Sequence, residues 1–223
     1  MERHFEAEMQ ALKNRLLSMG AMVEERVHQA VLALMQRKPE AAERIIAGDD
    51  EVNELQIEVD DRCLKLLALQ QPMASDLRLI TAAMKINADL ERIGDQAVNI
   101  AENSLKLMNA APLKPIIDLP HMAEIAEAMT RDSLDAFVRK DAALARSVLA
   151  RDDEVDQLKD HIFRVLLTYM MADPGTIERA LSLILVSRNL ERIADHATNI
   201  AEDVIFVVEA KDVRHHHEER LVP

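Results

Sequence analysis

Thirteen residues, Leu90-Glu-Arg-Ile-Gly-Asp-Gln-Ala-Val-Asn-Ile-Ala-Glu102, return 100 positions later as Leu190-Glu-Arg-Ile-Ala-Asp-His-Ala-Thr-Asn-Ile-Ala-Glu202, and ten of the thirteen are identical. A repeat on that scale means a fold assembled from two similar units. It also means that each unit carries the same polar pattern. Smaller echoes extend the repeat. Arg37-Lys38 pairs with Arg139-Lys140, and Asp49-Asp-Glu-Val52 pairs with Asp152-Asp-Glu-Val155.

The units are helical. Apolar residues at Leu12, Leu16, Met19, Val23, Val27, Ala30, Val31 and Leu34 advance by three and four, the period of one helical face. That pattern predicts a helix over 6–38. A second helix is expected over 40–70, with a break at Gly48 and a stripe of Val52, Leu55, Val59, Leu66 and Leu69. Gln71-Pro72 makes a turn, because the residue before proline avoids the helical region. A third helix follows over 76–108. Pro112, Pro115 and Pro120 then crowd a short stretch that marks the boundary between units. The second unit repeats the order over 121–140, 141–171 and 176–210, with Thr176 as a candidate cap. The expected fold is all-α: two tandem three-helix bundles with six main helices, spanning 1–111 and 112–223. Composition agrees, since four Gly, no Trp, one Tyr and four Phe disfavour sheet.

Forty acidic residues against 27 basic ones give a net charge of −13, which repels nucleic acid and anionic membrane surfaces. Nucleic acid is therefore not an expected partner. A single cysteine, Cys63, lies in an apolar helical stretch and suits a reducing cytoplasm. The N-terminus shows no apolar signal region, and no apolar run reaches the roughly 18 residues that span a bilayer.

The repeated acids form the candidate site. Each helical residue turns about 100°, so with Glu91 at zero, Glu102, Asp95 and Asn99 fall within about 80° of it. Ile86, Leu90, Ile93, Ala97 and Ile100 point the other way. Glu191, Asp195, Asn199 and Glu202 make the same row in the second unit. Two readings of these rows stand side by side. The acids are a solvated face screened by Lys85, Arg92, Arg188 and Arg192, or they hold divalent or trivalent cations with water completing the shell. Under the second reading the metal ligands are Glu91, Asp95, Glu102, Glu191, Asp195 and Glu202. Spacing does not choose among iron, zinc, manganese and magnesium. Asp50 and Asp153 hold matching places one turn into the second and fifth helices, where they either contribute to the acid site or, the favoured reading, compensate the charge of a helix N-terminus. A ferritin-like di-iron centre is excluded, because it needs Glu-x-x-His on core-facing positions and His196 follows Glu191 by five. His215-His-His217 reads as part of a solvated tail. No phosphate loop, nucleophile triad or zinc-type cysteine pair is present. A metal-dependent phosphohydrolase or metal store is the rival to a regulatory role, although only His196 stands near the acids as a proton carrier.

These residues resemble the PhoU family of bacterial phosphate-uptake and phosphate-signalling regulators. The resemblance rests on Glu91-Arg-Ile-Gly-Asp95 and Glu191-Arg-Ile-Ala-Asp195. It also rests on Gln71-Pro-Met-Ala-Ser-Asp-Leu-Arg78, on Asp195-His-Ala-Thr-Asn-Ile-Ala-Glu202 and on the tail Lys211-Asp-Val-Arg-His215. It implies two three-helix bundles with metal clusters on their acidic surfaces. It further implies a negative regulator, not an enzyme, that links the ATPase subunit of the phosphate ABC transporter to the membrane phosphate-sensing histidine kinase. Such a protein is expected to be a homodimer in the cytoplasm, held at the inner membrane through its partners.

Overall fold

The structure is a computed structural model that describes residues 2–113 and 118–213. Eight α-helices follow in order: α1 (Glu2–Gln36), α2 (Pro39–Ala47), α3 (Asp50–Gln70), α4 (Ala74–Met108), α5 (Asp118–Arg139), α6 (Ala142–Leu149), α7 (Asp152–Ala172) and α8 (Ile177–Glu209). A single 3₁₀ turn, Pro174–Thr176, precedes α8. Six of the helices are long, and no strand occurs among the described residues. The expected all-α duplicated architecture is therefore the one observed. Each middle helix is split, however, into a short piece and a long one. Gly48 marks the first split, as its sequence suggests. The matching break at Ala150 and Arg151 carries no glycine or proline, so nothing local in the sequence announces it.

The two halves use the same hinge between their first helices. Arg37 and Lys140 both adopt positive φ, near 54°. At the first hinge, Lys38 N–H donates to Ala33 O and Arg37 N–H to Leu34 O. Asp141 N–H and Lys140 N–H repeat this with Ala136 O and Phe137 O. This is a Schellman closure, which satisfies carbonyls that the ended helix leaves open. It corrects the sequence pairing by one residue: Arg37 corresponds to Lys140, and Lys38 to Asp141. The restart differs between halves. Pro39 starts α2 with φ already set for helix. Asp141 instead caps α6, its carboxylate accepting from Ala143 and Leu144 N–H at 3.0 Å each. Thr176 does not cap α8 with its side chain. Its hydroxyl donates back to Asp173 O at 2.7 Å, and Asp173 accepts from Gly175 N–H.

All eight apolar positions read along the first helix are buried. On α3 the stripe runs through Val52, Leu55, Val59, Cys63 and Leu66. Leu69, expected to continue it, is exposed because it lies in the last turn, beyond the layer that Leu66 closes. Burial pushes the Cys63 thiol up to about 12, so it behaves as a small apolar filler. The buried residues form one continuous core across both halves. Helices α4 and α8 make the most extensive contact in the molecule, with α1 also packed on α4 and on α5. Lys85 pairs with Asp203, and Asp89 with His196, so the pairs run in opposite order and α4 and α8 are antiparallel.

One of the two buried helical glycines permits a close approach. A Cβ on Gly20 would collide with Leu134 Cδ1, so Gly20 lets α1 lie against α5. Gly94 is less constrained: a Cβ there would meet Val52 and Val23 at 3.4–3.7 Å, ordinary contact distances. Its counterpart is the buried Ala194. Gly94→Ala is therefore expected to stabilise the protein by roughly 0.5–1 kcal/mol through helix propensity. Urea unfolding checks this; a lower midpoint would mean that the added methyl is not accommodated between Val52 and Val23.

Candidate cation site and the polar seam

The two repeated motifs lie on α4 and α8, with their apolar residues in the core. Leu90, Ile93, Ala97 and Ile100 are completely buried, as are Leu190, Ile193, Ala197 and Ile200. The acids emerge where the neighbouring helix of the same half begins. In the first half Asp49, at the start of α3, acts electrostatically on both Glu91 and Asp95. In the second, Asp152 at the start of α7 feels Asp195, Asp156, Asp153 and Glu191. The sequence singled out Asp50 and Asp153, which are exposed; their predecessors Asp49 and Asp152 turn inward. The doubled aspartate was visible in the repeat, but only packing decides which of the two faces α4 or α8.

Burial is the first cause of each perturbed carboxylate here. It raises Glu91, whose neighbour Asp95 adds to the rise. It raises Asp95, with Asp49 adding to it. Asp195 is raised by burial, then by Glu191 and Asp156. Asp152 is pushed up to about 6. These carboxylates crowd one another enough that a proton or a cation would relieve them.

The halves differ in how they meet that repulsion. In the second, Lys159 Nζ bridges Glu191 Oε1 at 3.0 Å and Asp156 Oδ1 at 2.6 Å. These bonds hold the lysine well above its ordinary range. By the 103-residue offset of this segment, Asn53 stands where Asp156 does, and Gln56 where Lys159 does. The second half thus adds one carboxylate and one ammonium together, whereas in the first Asp49 lies 3.9 Å from Arg26. In the first half Glu91 and Asp95 accept no hydrogen bond or ion pair among the described residues, and only the nearby charge of Arg92 and His196 offsets them. An oxygen donor set of this kind suits a hard cation. As the side chains are placed, no three His, Cys, Asp or Glu groups among the described residues converge on one ion. Glu102 is exposed two turns beyond Asp95 and does not act on it; Glu202, half-buried, lies equally far from Asp195. The structure thus brings Glu91 and Asp95 together with Asp49, and Glu191 and Asp195 together with Asp152 and Asp156. His215–His217 lie outside the described residues.

A polar seam joins the halves. Asp89 Oδ1 lies 2.9 Å from His196 Nδ1, with side-chain exposures of 10% and 15%, and accepts from Asn199 Nδ2 at 3.4 Å. Lys85 Nζ donates to Asp203 Oδ1 at 2.7 Å. The equivalent positions on the other side of the pseudo-twofold hold Asn189, Gln96, Leu185 and Asn103. Charged pairs on one side thus correspond to neutral residues on the other. This seam is what the sequence reading missed: His196 stands near the acids, acting on Glu91, Asp95 and Asp195, and it also pairs with Asp89 across the halves.

The fold and site define a duplicated, all-helical protein whose most distinctive surfaces are paired acid clusters, with no helix among the described residues long and apolar enough to cross a membrane. The PhoU domain family matches residues 16–104 and 119–204, one copy in each half. Among curated relatives, the phosphate-specific transport system accessory protein PhoU homolog of Pseudomonas putida is 42% identical over 96% of this chain and 84% of its own length. The phosphate-specific transport system accessory protein PhoU of Escherichia coli K12 is 36% identical over 95% and 88%. The crystal structure of PhoU from Pseudomonas aeruginosa superposes with a TM-score of 0.89 at 41% identity, covering 93% of this chain and all of that one. That of the phosphate transport system regulatory protein PhoU from Streptococcus pneumoniae gives 0.87 at 31%, over 94% and 99%. The chain belongs to the PhoU family, whose relatives are named as accessory and regulatory proteins of phosphate transport.

Proposed function

We propose that this protein is a negative regulator of phosphate uptake and of phosphate-starvation signalling. In this reading it is an adaptor, not an enzyme, between the ATPase subunit of a phosphate ABC transporter and a phosphate-sensing histidine kinase. It works in the cytoplasm as a homodimer, peripheral to the inner membrane through those partners. Its acid clusters hold divalent or trivalent cations. The observation that carries the cation reading is the contrast between halves. A cation already bridges two helices in the second cluster, supplied by Lys159, whereas Glu91 and Asp95 in the first have none. The first cluster is thus the one expected to take metal more readily, with Asp49 joining Glu91 and Asp95.

An exposed apolar strip supports the adaptor reading. Phe163, Leu167 and Met171 lie one turn apart on α7, and Ile177, Leu181 and Leu185 do so on α8. The matching first-half positions are Asp60, Leu64, Ala68, Leu77, Thr81 and Lys85, a more polar set. The first half also exposes Ile57, Leu64, Leu69, Met73 and Leu77, and exposed apolar surface on this scale suits a docking surface. Replacing Leu167 and Leu181 together with glutamate is expected to leave the unfolding midpoint nearly unchanged, since both are exposed, and to abolish capture of the transporter ATPase subunit. Pull-down of that subunit by wild type and variant checks it; equal capture would place the contact elsewhere.

The regulatory reading is tested in a strain lacking this gene. Wild-type protein is expected to restore repression of phosphate-starvation genes in high phosphate, and the variant Glu91→Ala with Asp95→Ala is not. Full repression by that variant would separate the acids from signalling.

A further inference from the structure

The halves meet through two helix pairs, α4 with α8 and α1 with α5. The second pair carries a charged cluster of its own, and none of its residues belongs to the acid rows. Arg131 Nη2 lies 3.5 Å from Glu24 Oε1, and His28 Nδ1 lies 3.4 Å from Glu127 Oε2. By the 103-residue offset of these helices, Glu24 corresponds to Glu127 and His28 to Arg131. The two pairs are therefore one contact made twice across the pseudo-twofold, with the cation changed in one of them. Guanidinium keeps its charge at every working pH. Imidazole is the side chain whose charge ordinarily changes between about pH 5 and 8.

The pair that can lose its cation is also the more buried one. The Glu127 side chain is 14% exposed, against 27% for Glu24. Burial raises the Glu127 carboxyl above its ordinary value; Glu24 adds to the rise, and His28 and Arg131 pull it back. Those charges face Glu127 from α1 and from its own helix α5. Glu25, one turn before His28 on α1, is engaged by Gln29 at 2.7 Å. While the His28–Glu127 pair keeps one proton, on the imidazole or on the carboxyl, no unpaired charge faces Glu24. When that proton leaves, two carboxylates stand together with Arg131 alone to serve both. A group raised in the fold stabilises below its unfolded value and loses that contribution as pH passes the folded one, so the contact weakens as pH rises. Packing differs between the ends in the same sense. Gly20 lets Leu134 come close one turn beyond Glu24 and Arg131, whereas Ala123 takes the place of that glycine at the His28 end.

We propose that the α1–α5 crossing is a proton-operated brace between the halves, closed at both ends while the His28–Glu127 pair holds a proton and only at the Arg131 end once that proton is lost. It gives the junction between the two acid-bearing halves a response to pH, and it does not depend on the regulatory reading above. Amide hydrogen exchange of the full chain, read by mass spectrometry at about pH 5.5 and about pH 8 and corrected for the intrinsic pH dependence of exchange, tests it. In the wild type, the segments around His28 and Glu127 are expected to exchange about threefold faster at the higher pH. His28→Arg installs the residue type of the other end and should hold both segments at the slower rate throughout. Glu127→Gln removes the carboxylate and should also give a flat profile. His28 is half-exposed, so His28→Arg should fold, as a thermal melt would verify. His196 with Asp89 also pairs across the halves, but it is the same in all three proteins, so differences among them report on the brace. A flat profile in the wild type overturns the brace, as does a rise with pH that persists in His28→Arg or in Glu127→Gln.

Discussion

Replacing His196 with alanine is expected to destabilise the protein by about 2–4 kcal/mol, more than any surface change in either acid row. The reason lies in Asp89. Its carboxylate is nine-tenths buried at the junction of α4 and α8, and its close partner is His196 Nδ1 at 2.9 Å. Without the imidazole, Asn199 at 3.4 Å is what remains. A buried carboxylate left short of donors costs far more than the pair itself contributes. The duplication supplies a control. Changing Asp89→Asn and His196→Gln together installs the residue types found at the equivalent positions, Asn189 and Gln96, and should stay within about 1 kcal/mol of wild type. A double-mutant cycle by urea unfolding measures both. If His196→Ala costs less than about 1 kcal/mol, water reaches Asp89 and the seam is not what joins the halves.

Stability should also fall as pH rises in metal-free protein. Glu91, Asp95, Asp152 and Asp195 all hold their protons more tightly folded than unfolded. For such a group the contribution is fully present below the unfolded value, about 3.9 for Asp, and is lost as pH passes the folded one. For Asp152 that value is about 6. The window is therefore roughly pH 4 to 6. Asp95 and Asp195 are exposed and Glu91 and Asp152 half-buried, so after solvent screening the combined effect is on the order of 1–2 kcal/mol. Glu58 and Glu209 act with opposite sign, lowered by Arg15 and Arg146, but they lie at the surface and contribute little. On the proposed cation reading, a divalent cation is expected to take the place of the lost protons. In EDTA the unfolding midpoint should fall between pH 4.5 and 6.5, on the scale of that window; with manganese or magnesium present it should hold level. Superimposed curves would show that the acids bind no cation.

Much of this was legible in the sequence for a physical reason. The core stripes of α1 and α4 follow helical period because each long helix buries one face, and every apolar residue read along them is buried. The duplication announced two equivalent sites. What periodicity could not give was the third dimension. It could not say that Asp49 rather than Asp50 faces Glu91, because the two differ only by how α3 is rotated on α4. It placed the motif acids on an open surface and could not show that α8 covers one flank of α4. His196 was therefore read only beside the acids, and its pairing with Asp89 across the halves went unseen. Lys159 was invisible as a site residue, since a lone lysine on a helix says nothing until its neighbours across the groove are known.

The claim on which the rest depends is that the paired acid clusters hold cations. Elemental analysis by mass spectrometry of untagged protein tests it most directly, with wild type beside Glu91→Ala, Asp95→Ala, Glu191→Ala and Asp195→Ala combined. The account predicts stoichiometric bound metal in the wild type and none in the variant. Equal metal in both, or none in the wild type purified from metal-replete cells, would contradict it.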